Sequence, residues 1–276
     1  MKLPEFKLWS FLHDVAKGKQ AEADNLLASD EPERAQELLT SSGIFTDFSG
    51  RTFNCTAYEY AFWAKDKHMC SMLEAHMDEA TKSVLLERCE VMEQDGLGYL
   101  QQGVIKSSTH FNLAPLLNAL QDYITGYEHW AGTRNWNAMK AAWLRIGLVQ
   151  RDLPIHVINE YCRRDRSCRF AARLHQYTLP REMNYYNYDS GEFVPLFPLI
   201  HNASSGLGVD FSLLRGLNSS LGWLARIERE RGGGSTIAAF DLASLMLFDE
   251  MRTNDLKQLL ENLGKLRVLE HGHGFS

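Results

Sequence analysis

Paired apolar residues recur at a fixed offset through the first part of the chain. Leu12-His13 is followed 14 and 15 residues later by Leu26-Leu27, and Tyr58-Glu59 is followed at the same offsets by Met72-Leu73. Between them, Ala35-Gln-Glu-Leu38-Leu39 carries a double Leu and closes on Gly43. Such an offset sets the apolar stripe of one short helix against that of the next, and neither stripe is buried unless neighbouring pairs stack. Residues 79–103 read as a further helix, with Val84, Leu85, Cys89 and Met92 at helical spacing and a stop at Asp95-Gly-Leu-Gly98.

Past the polar Lys106-Ser-Ser-Thr109 the helical pattern resumes. Leu113, Leu116, Leu117 and Leu120 form one amphipathic stripe, and Trp136, Met139, Ala142 and Trp143 form another. Pro154 is placed to start a helix that turns Ile155, Ile158, Tyr161 and Cys162 inward. After residue 180 the texture changes. Met183 to Phe197 is rich in aromatic and β-branched residues around Asp189-Ser-Gly191, which predicts a small β-hairpin near 183–197. Helices return at Leu221–Glu230, Ile237–Asp249 and Asp255–Leu269. The expected fold class is mainly α: a short helix-pair array over residues 1–103, packed on a larger α-helical domain over 104–276 that carries the hairpin.

The helix pairs have a family likeness. Thr56-Ala-Tyr-Glu-Tyr-Ala61 stands where the ankyrin repeat has its T-P-L-H-x-A helix start, and Gly50-Arg-Thr52 stands where it has the preceding turn. Gln36-Glu-Leu-Leu-Thr-Ser-Ser-Gly43 stands where that repeat has its second helix and closing Gly. Residues 8–78 therefore resemble a degenerate ankyrin array. Ala57 replaces the family's Pro, Glu59 replaces its His, and Phe53-Asn-Cys55 is an insertion before the helix. Worn ankyrin-like units joined to an α-rich second half resemble Dot/Icm-type translocated effectors of intracellular bacterial pathogens. The resemblance implies delivery into a host cytosol and binding of a host protein. Partner contacts are then expected at the turn tips ahead of the helix, at Asp47, Phe48, Arg51 and Phe53.

Composition narrows the alternatives. The chain has 276 residues, 45% hydrophobic and 23% charged, with six Trp, as in a globular protein with ample core. No apolar run approaches the roughly 20 residues of a membrane span. Near the N-terminus the apolar residues are interrupted by His13 and Asp14 and no small-residue cleavage site follows, so no secretory signal is expected and the protein is placed in a cytoplasm, its own or a host's. The net charge of −6 is concentrated in residues 1–100, which argues against nucleic acid as a partner. Cys55, Cys70, Cys89, Cys162 and Cys168 form an odd set without a CxxC pair, which points to reduced thiols rather than a disulfide framework.

Two chemical constellations compete with the interaction reading. Cys55 lies just ahead of the helix beginning at Ala57, where main-chain N–H groups favour a thiolate. This is loosely similar to papain-type peptidases and gives the alternative of a cysteine-dependent hydrolase or transferase. Arg163, Arg164, Arg166, Arg169 and Arg173 crowd one segment. Arg163 and Arg166, three apart, would share a helix side and suit an anion or the carboxylates of the acidic front half. Tyr127, Trp130, Trp136 and Trp143 are read as core rather than as a pocket lining. No motif requires a metal or a cofactor, and nothing in the sequence indicates an oligomeric state.

Overall fold

The computed structural model describes residues 5–150, 152–162, 179–181, 184–187, 192–195 and 235–264. The fold is mainly α, as the hydrophobic pattern predicts, and it also carries a small antiparallel sheet. In the first part of the chain the helices are α1 (Glu5–Ala16), α2 (Gln20–Ala28), α3 (Pro32–Thr40), α4 (Ala57–Trp63), α5 (Lys67–Ala75) and α6 (Glu79–Asp95). Their starts are set locally. Pro32 sits in the first turn of α3. Thr56 caps α4 in a reciprocal box with Glu59: the Glu59 N–H donates to Thr56 Oγ1 and the Thr56 N–H donates to Glu59 Oε2. The Asp66 and Asp78 carboxylates accept from the N–H groups of Met69 and Thr81 at the starts of α5 and α6.

Two hairpins depart from the helical expectation. Residues 43–55, read as a turn with a three-residue insertion, form β1 (Gly43–Thr46) and β2 (Thr52–Cys55), with Phe45 opposite Phe53. The helix expected over 79–103 ends at Asp95, where Gly96 turns to φ 77°. It is followed by β3 (Leu97–Gln101) and β4 (Val104–Ser108), joined by a two-residue turn in which Gln102 and Gly103 both have positive φ. β2 pairs with β3, so the four strands make one antiparallel sheet in the order β1-β2-β3-β4.

The chain divides into two compact units, Met1–Phe111 with Met251–Ser276, and Asn112–Glu250. A division after residue 103 would fall between the paired strands β3 and β4. In the first unit Leu27, Leu38, Leu39 and Leu73 are buried in one core, with Leu26 and Met72 packed against it. Val84, expected inside, is exposed, while Leu85, Cys89 and Met92 are buried. The last described helix, α10 (Ser235–Gly264), supplies Leu256, Leu259 and Leu263 to this core. Two helices were expected over this stretch. With no Gly or Pro between Asp249 and Asp255, nothing breaks the helix, and Arg252 pairs with Asp255 at 2.8 Å one turn on.

In the second unit α7 (Ala114–Gly132) and α8 (Trp136–Gln150) pack against each other, followed by α9 (Ile155–Cys162) after Pro154. Leu116, Leu120, Tyr123, Met139, Trp143 and Ile146 are buried, and the rings of Tyr123 and Trp143 lie 4.9 Å apart. Trp143 is therefore core, as expected, whereas Trp136 is exposed. The expected hairpin is present as β5 (Asn184–Asn187) paired with β6 (Glu192–Pro195). The Asp189-Ser-Gly191 turn and the helix expected at 221–230 lie outside the described residues.

Candidate interaction surface

The four residues expected to offer turn-tip contacts face inward. Asp47 and Arg51 are 1% and 2% exposed, and Phe48 and Phe53 are buried with them. Within the β1–β2 turn, Arg51 Nε donates to Asp47 Oδ2 at 2.9 Å, and the Arg51 main-chain N–H donates to Asp47 Oδ1 at the same distance. Ser49 Oγ donates to Oδ1, and Lys17 Nζ donates to the Asp47 carbonyl at 2.8 Å. The guanidinium lies between two rings, 4.9 Å from Trp63 and 5.1 Å from Phe111, while its Nη2 has no hydrogen-bond partner. The expectation of exposed contacts at Asp47, Phe48, Arg51 and Phe53 is corrected: they lock the hairpin onto the core. Polar residues beside a turn read as solvated, but an acid and an arginine four apart can satisfy each other and go inside.

Cys55 ends β2 with 2% exposure. Burial pushes its thiol well up, the Glu59 carboxylate adds to this, and only the Tyr60 main-chain N–H opposes them. The helix-start effect that favours a thiolate is present and is outweighed by desolvation. Cys55, buried and with its thiol pushed up, lacks the exposure and lowered pKa expected of an activated nucleophile. Cys70 and Cys89 are likewise buried and pushed well up, burial being the largest cause for each. All three thiols are expected to react with maleimide at least about a hundredfold more slowly than free glutathione at neutral pH, read per cysteine by peptide mass mapping. A Cys55 labelling rate near that of glutathione would restore the nucleophile. Arg163 and Arg166 lie outside the described residues. No group of three or more His, Cys, Asp or Glu among the described residues is placed to hold a metal ion.

What the first unit exposes is the outer face of its sheet. Directly paired residues share a face, so the register sorts the strands. Phe45, Phe53 and Tyr99 lie on the inner face, their rings 5.3 to 5.9 Å apart. Ile44, Thr46, Thr52, Asn54, Gly98, Leu100, Ile105 and Ser107 lie on the outer face, which therefore carries no charged side chain. Ile44 is 67% exposed, Leu100 42% and Ile105 85%. Across the strands, Thr46 and Thr52 share a hydroxyl contact at 3.2 Å, Thr52 is opposite Leu100, and Leu100 is opposite Ile105. At one edge α1 packs against β1, and at the other, among the described residues, β4 has no strand beside it. An uncharged sheet face with three exposed aliphatic side chains is the kind of surface that proteins reserve for a partner. The sequence carried a signal for the β3–β4 hairpin but not for its open face: Val104 and Ile105 follow Gln102-Gly103 directly, a hairpin turn opening on an apolar pair.

Over 272 residues the chain is 33% identical to the Uncharacterized protein CBUA0006 of Coxiella burnetii (strain RSA 493 / Nine Mile phase I), covering 92% of this chain and 74% of that protein. Residues 115–263 match the family described as the CBUA0006 C-terminal domain. The chain belongs to the CBUA0006 family. No solved structure matches it.

The region matched by the CBUA0006 C-terminal domain begins in α7 and ends in α10, and takes in a helix whose polar residues are inside. On α9, His156, Asn159 and Glu160 are all buried, as are Gln150 at the end of α8 and Asp241 on α10. Arg181 Nη1 donates to Asn159 Oδ1 at 3.3 Å, and the His156 ring stacks on Phe248 at 5.8 Å. Among the described residues, no helix is long and apolar enough to cross a membrane.

Proposed function

We propose that this protein is a protein-interaction module, and that it acts as a translocated bacterial effector binding a host protein in the host cytosol. The observation that carries the reading is the open sheet face, with Ile44, Leu100 and Ile105 exposed and no charge among its eight residues. The kinship with a Coxiella burnetii protein supports the pathogen context. The ankyrin-like resemblance supports the same reading, since the helix pairs α2–α3 and α4–α5 are joined through a hairpin, as in an interaction array. Contacts are assigned to the outer sheet face in place of the buried turn residues.

The test is quantitative co-purification from host-cell cytosol, comparing the wild-type chain with Ile44→Asp and Leu100→Asp. Both side chains point to solvent, so the melting temperature is expected to hold. Recovery of any specifically retained host protein is expected to fall by about tenfold or more, as for a charge placed in a contact centre. If the same proteins are retained equally by the wild type and by both variants, the sheet face is not the docking surface.

A further inference from the structure

The edge strand β4 offers more than an apolar side chain. The two-residue turn at Gln102-Gly103, with both φ values positive, makes Gln101 and Val104 a hydrogen-bonded pair. Pair type then alternates along the ladder. Tyr99 with Lys106 is hydrogen-bonded, and so is Leu97 with Ser108. Leu100 with Ile105 and Gly98 with Ser107 are not. The N–H and C=O groups of Ile105 and Ser107 therefore point away from β3, across the open edge. Among the described residues, no main-chain hydrogen bond outside the sheet engages them. Edge strands are normally blunted by a proline, a bulge or a charge on the exposed side chain. Here β4 has no proline or bulge, Ile105 is 85% and Val104 56% exposed, and Lys106 is its one charge.

We infer that β4 captures an extended segment of the partner protein as a fifth, antiparallel strand, and that the segment carries an acidic residue opposite Lys106 beside an apolar one opposite Ile105. This rests on the interaction-module reading and specifies its partner. Lys106 is the sole charged residue in β3 and β4, and its Nζ lies 3.0 Å from the neutral Gln101 Oε1 rather than against a carboxylate of its own strand pair. An opposing Asp or Glu would complete it, since opposite charges directly across a ladder attract and like charges repel. The same rule disfavours a second copy as the occupant. The longest antiparallel overlap of β4 with itself is centred on Lys106 and would set Lys106 against its own copy. Read in the partner's direction, the segment places a small or polar residue opposite Ser107, then the acid, then a β-branched or aromatic residue against Ile105 and Leu100.

The test uses the full chain and two acetylated, amidated heptapeptides of alternating Thr and Val, one with Glu at its centre and one with Lys. Fluorescence anisotropy reads affinity, and amide exchange reads protection at Ile105 and Ser107. The Glu peptide is expected to bind about five- to tenfold more tightly than the Lys peptide. Lys106→Glu is expected to reverse that preference. Ile105→Pro removes an outward N–H that the β3–β4 ladder does not use, so it should abolish binding while the circular dichroism spectrum is kept. Equal binding of the two peptides, unaltered preference in Lys106→Glu, or full binding by Ile105→Pro overturns the proposal. Self-association in sedimentation velocity that Ile105→Pro removes would make a second copy the occupant and also overturn it. Should Ile105→Pro fail to fold, the charge reversal at Lys106 decides. If host capture is lost in Leu100→Asp but kept in Ile105→Pro, the module reading stands and strand capture falls. If the peptides behave as expected but capture ignores the face variants, the module reading falls instead.

Discussion

Asp47→Ala is expected to lower the stability of the first unit by about 3–5 kcal/mol, because it strands a buried guanidinium. Asp47 accepts from Arg51 Nε, from the Arg51 main-chain N–H and from Ser49 Oγ, and both ionic side chains are shielded from water. Removing the carboxylate leaves Arg51 between Trp63 and Phe111, too deep to regain hydration without pulling the hairpin off the core. Replacing both partners, Asp47→Leu with Arg51→Met, should cost much less, since no charge is then left inside. Urea unfolding followed by near-ultraviolet circular dichroism checks both variants. A loss below about 1 kcal/mol in Asp47→Ala would show the pair to be a bystander of the fold rather than its clasp.

Trp63→Ala should be of similar size, about 3–5 kcal/mol, for a different reason. Trp63 closes α4 and is the point where the helices meet the sheet. Its ring lies 5.0 Å from Phe53 on β2, 5.3 Å from Tyr99 on β3 and 5.9 Å from Phe111. Its Nε1 donates to Ser108 Oγ on β4 at 3.0 Å, and its face carries the Arg51 guanidinium. Truncation opens a cavity among aromatic rings that cannot collapse, because strands on one side and α4 on the other hold the walls. Trp63→Phe keeps most of the ring contact and loses the hydrogen bond, so a loss of about 1–2 kcal/mol is expected. The double variant with Asp47→Ala should fall short of the sum of the two, since both act on Arg51. Strict additivity in the same urea experiment would mean that the cluster is not one unit.

Contacts distant in sequence set the surroundings of both Asp47 and Trp63. Trp63 was visible as an apolar residue on a helix, yet nothing near it in sequence names Phe53, Tyr99, Phe111 or Ser108 as its neighbours. Asp47 and Arg51 were visible as a polar turn, and the polarity pointed to water. Their burial depends on the rings of Trp63 and Phe111, which arrive from α4 and from the segment after β4. The open face was hidden for the same reason. Ile44, Leu100 and Ile105 are hydrophobic and would be assigned to a core by type alone, and only the register of three strand pairs sends them outward together.

Helix existence and many helix starts were determined by the sequence itself, because capping and periodicity act within one or two turns. Thr56 with Glu59, Asp66, Asp78 and Pro32 set starts, while Leu38-Leu39 and Leu113 to Leu120 mark the faces that go inside. The β5–β6 hairpin was legible too, since it joins neighbours in the chain. The tertiary structure alone decided that Gly43–Cys55 and Leu97–Ser108 become one sheet, because strands of four or five residues are not stable until they pair, and β2 meets β3 across three helices of intervening chain. It also decided the chemistry of Cys55. Its place before a helix favours the thiolate through a local dipole, but desolvation by the whole surrounding core is the larger effect and pushes the thiol up.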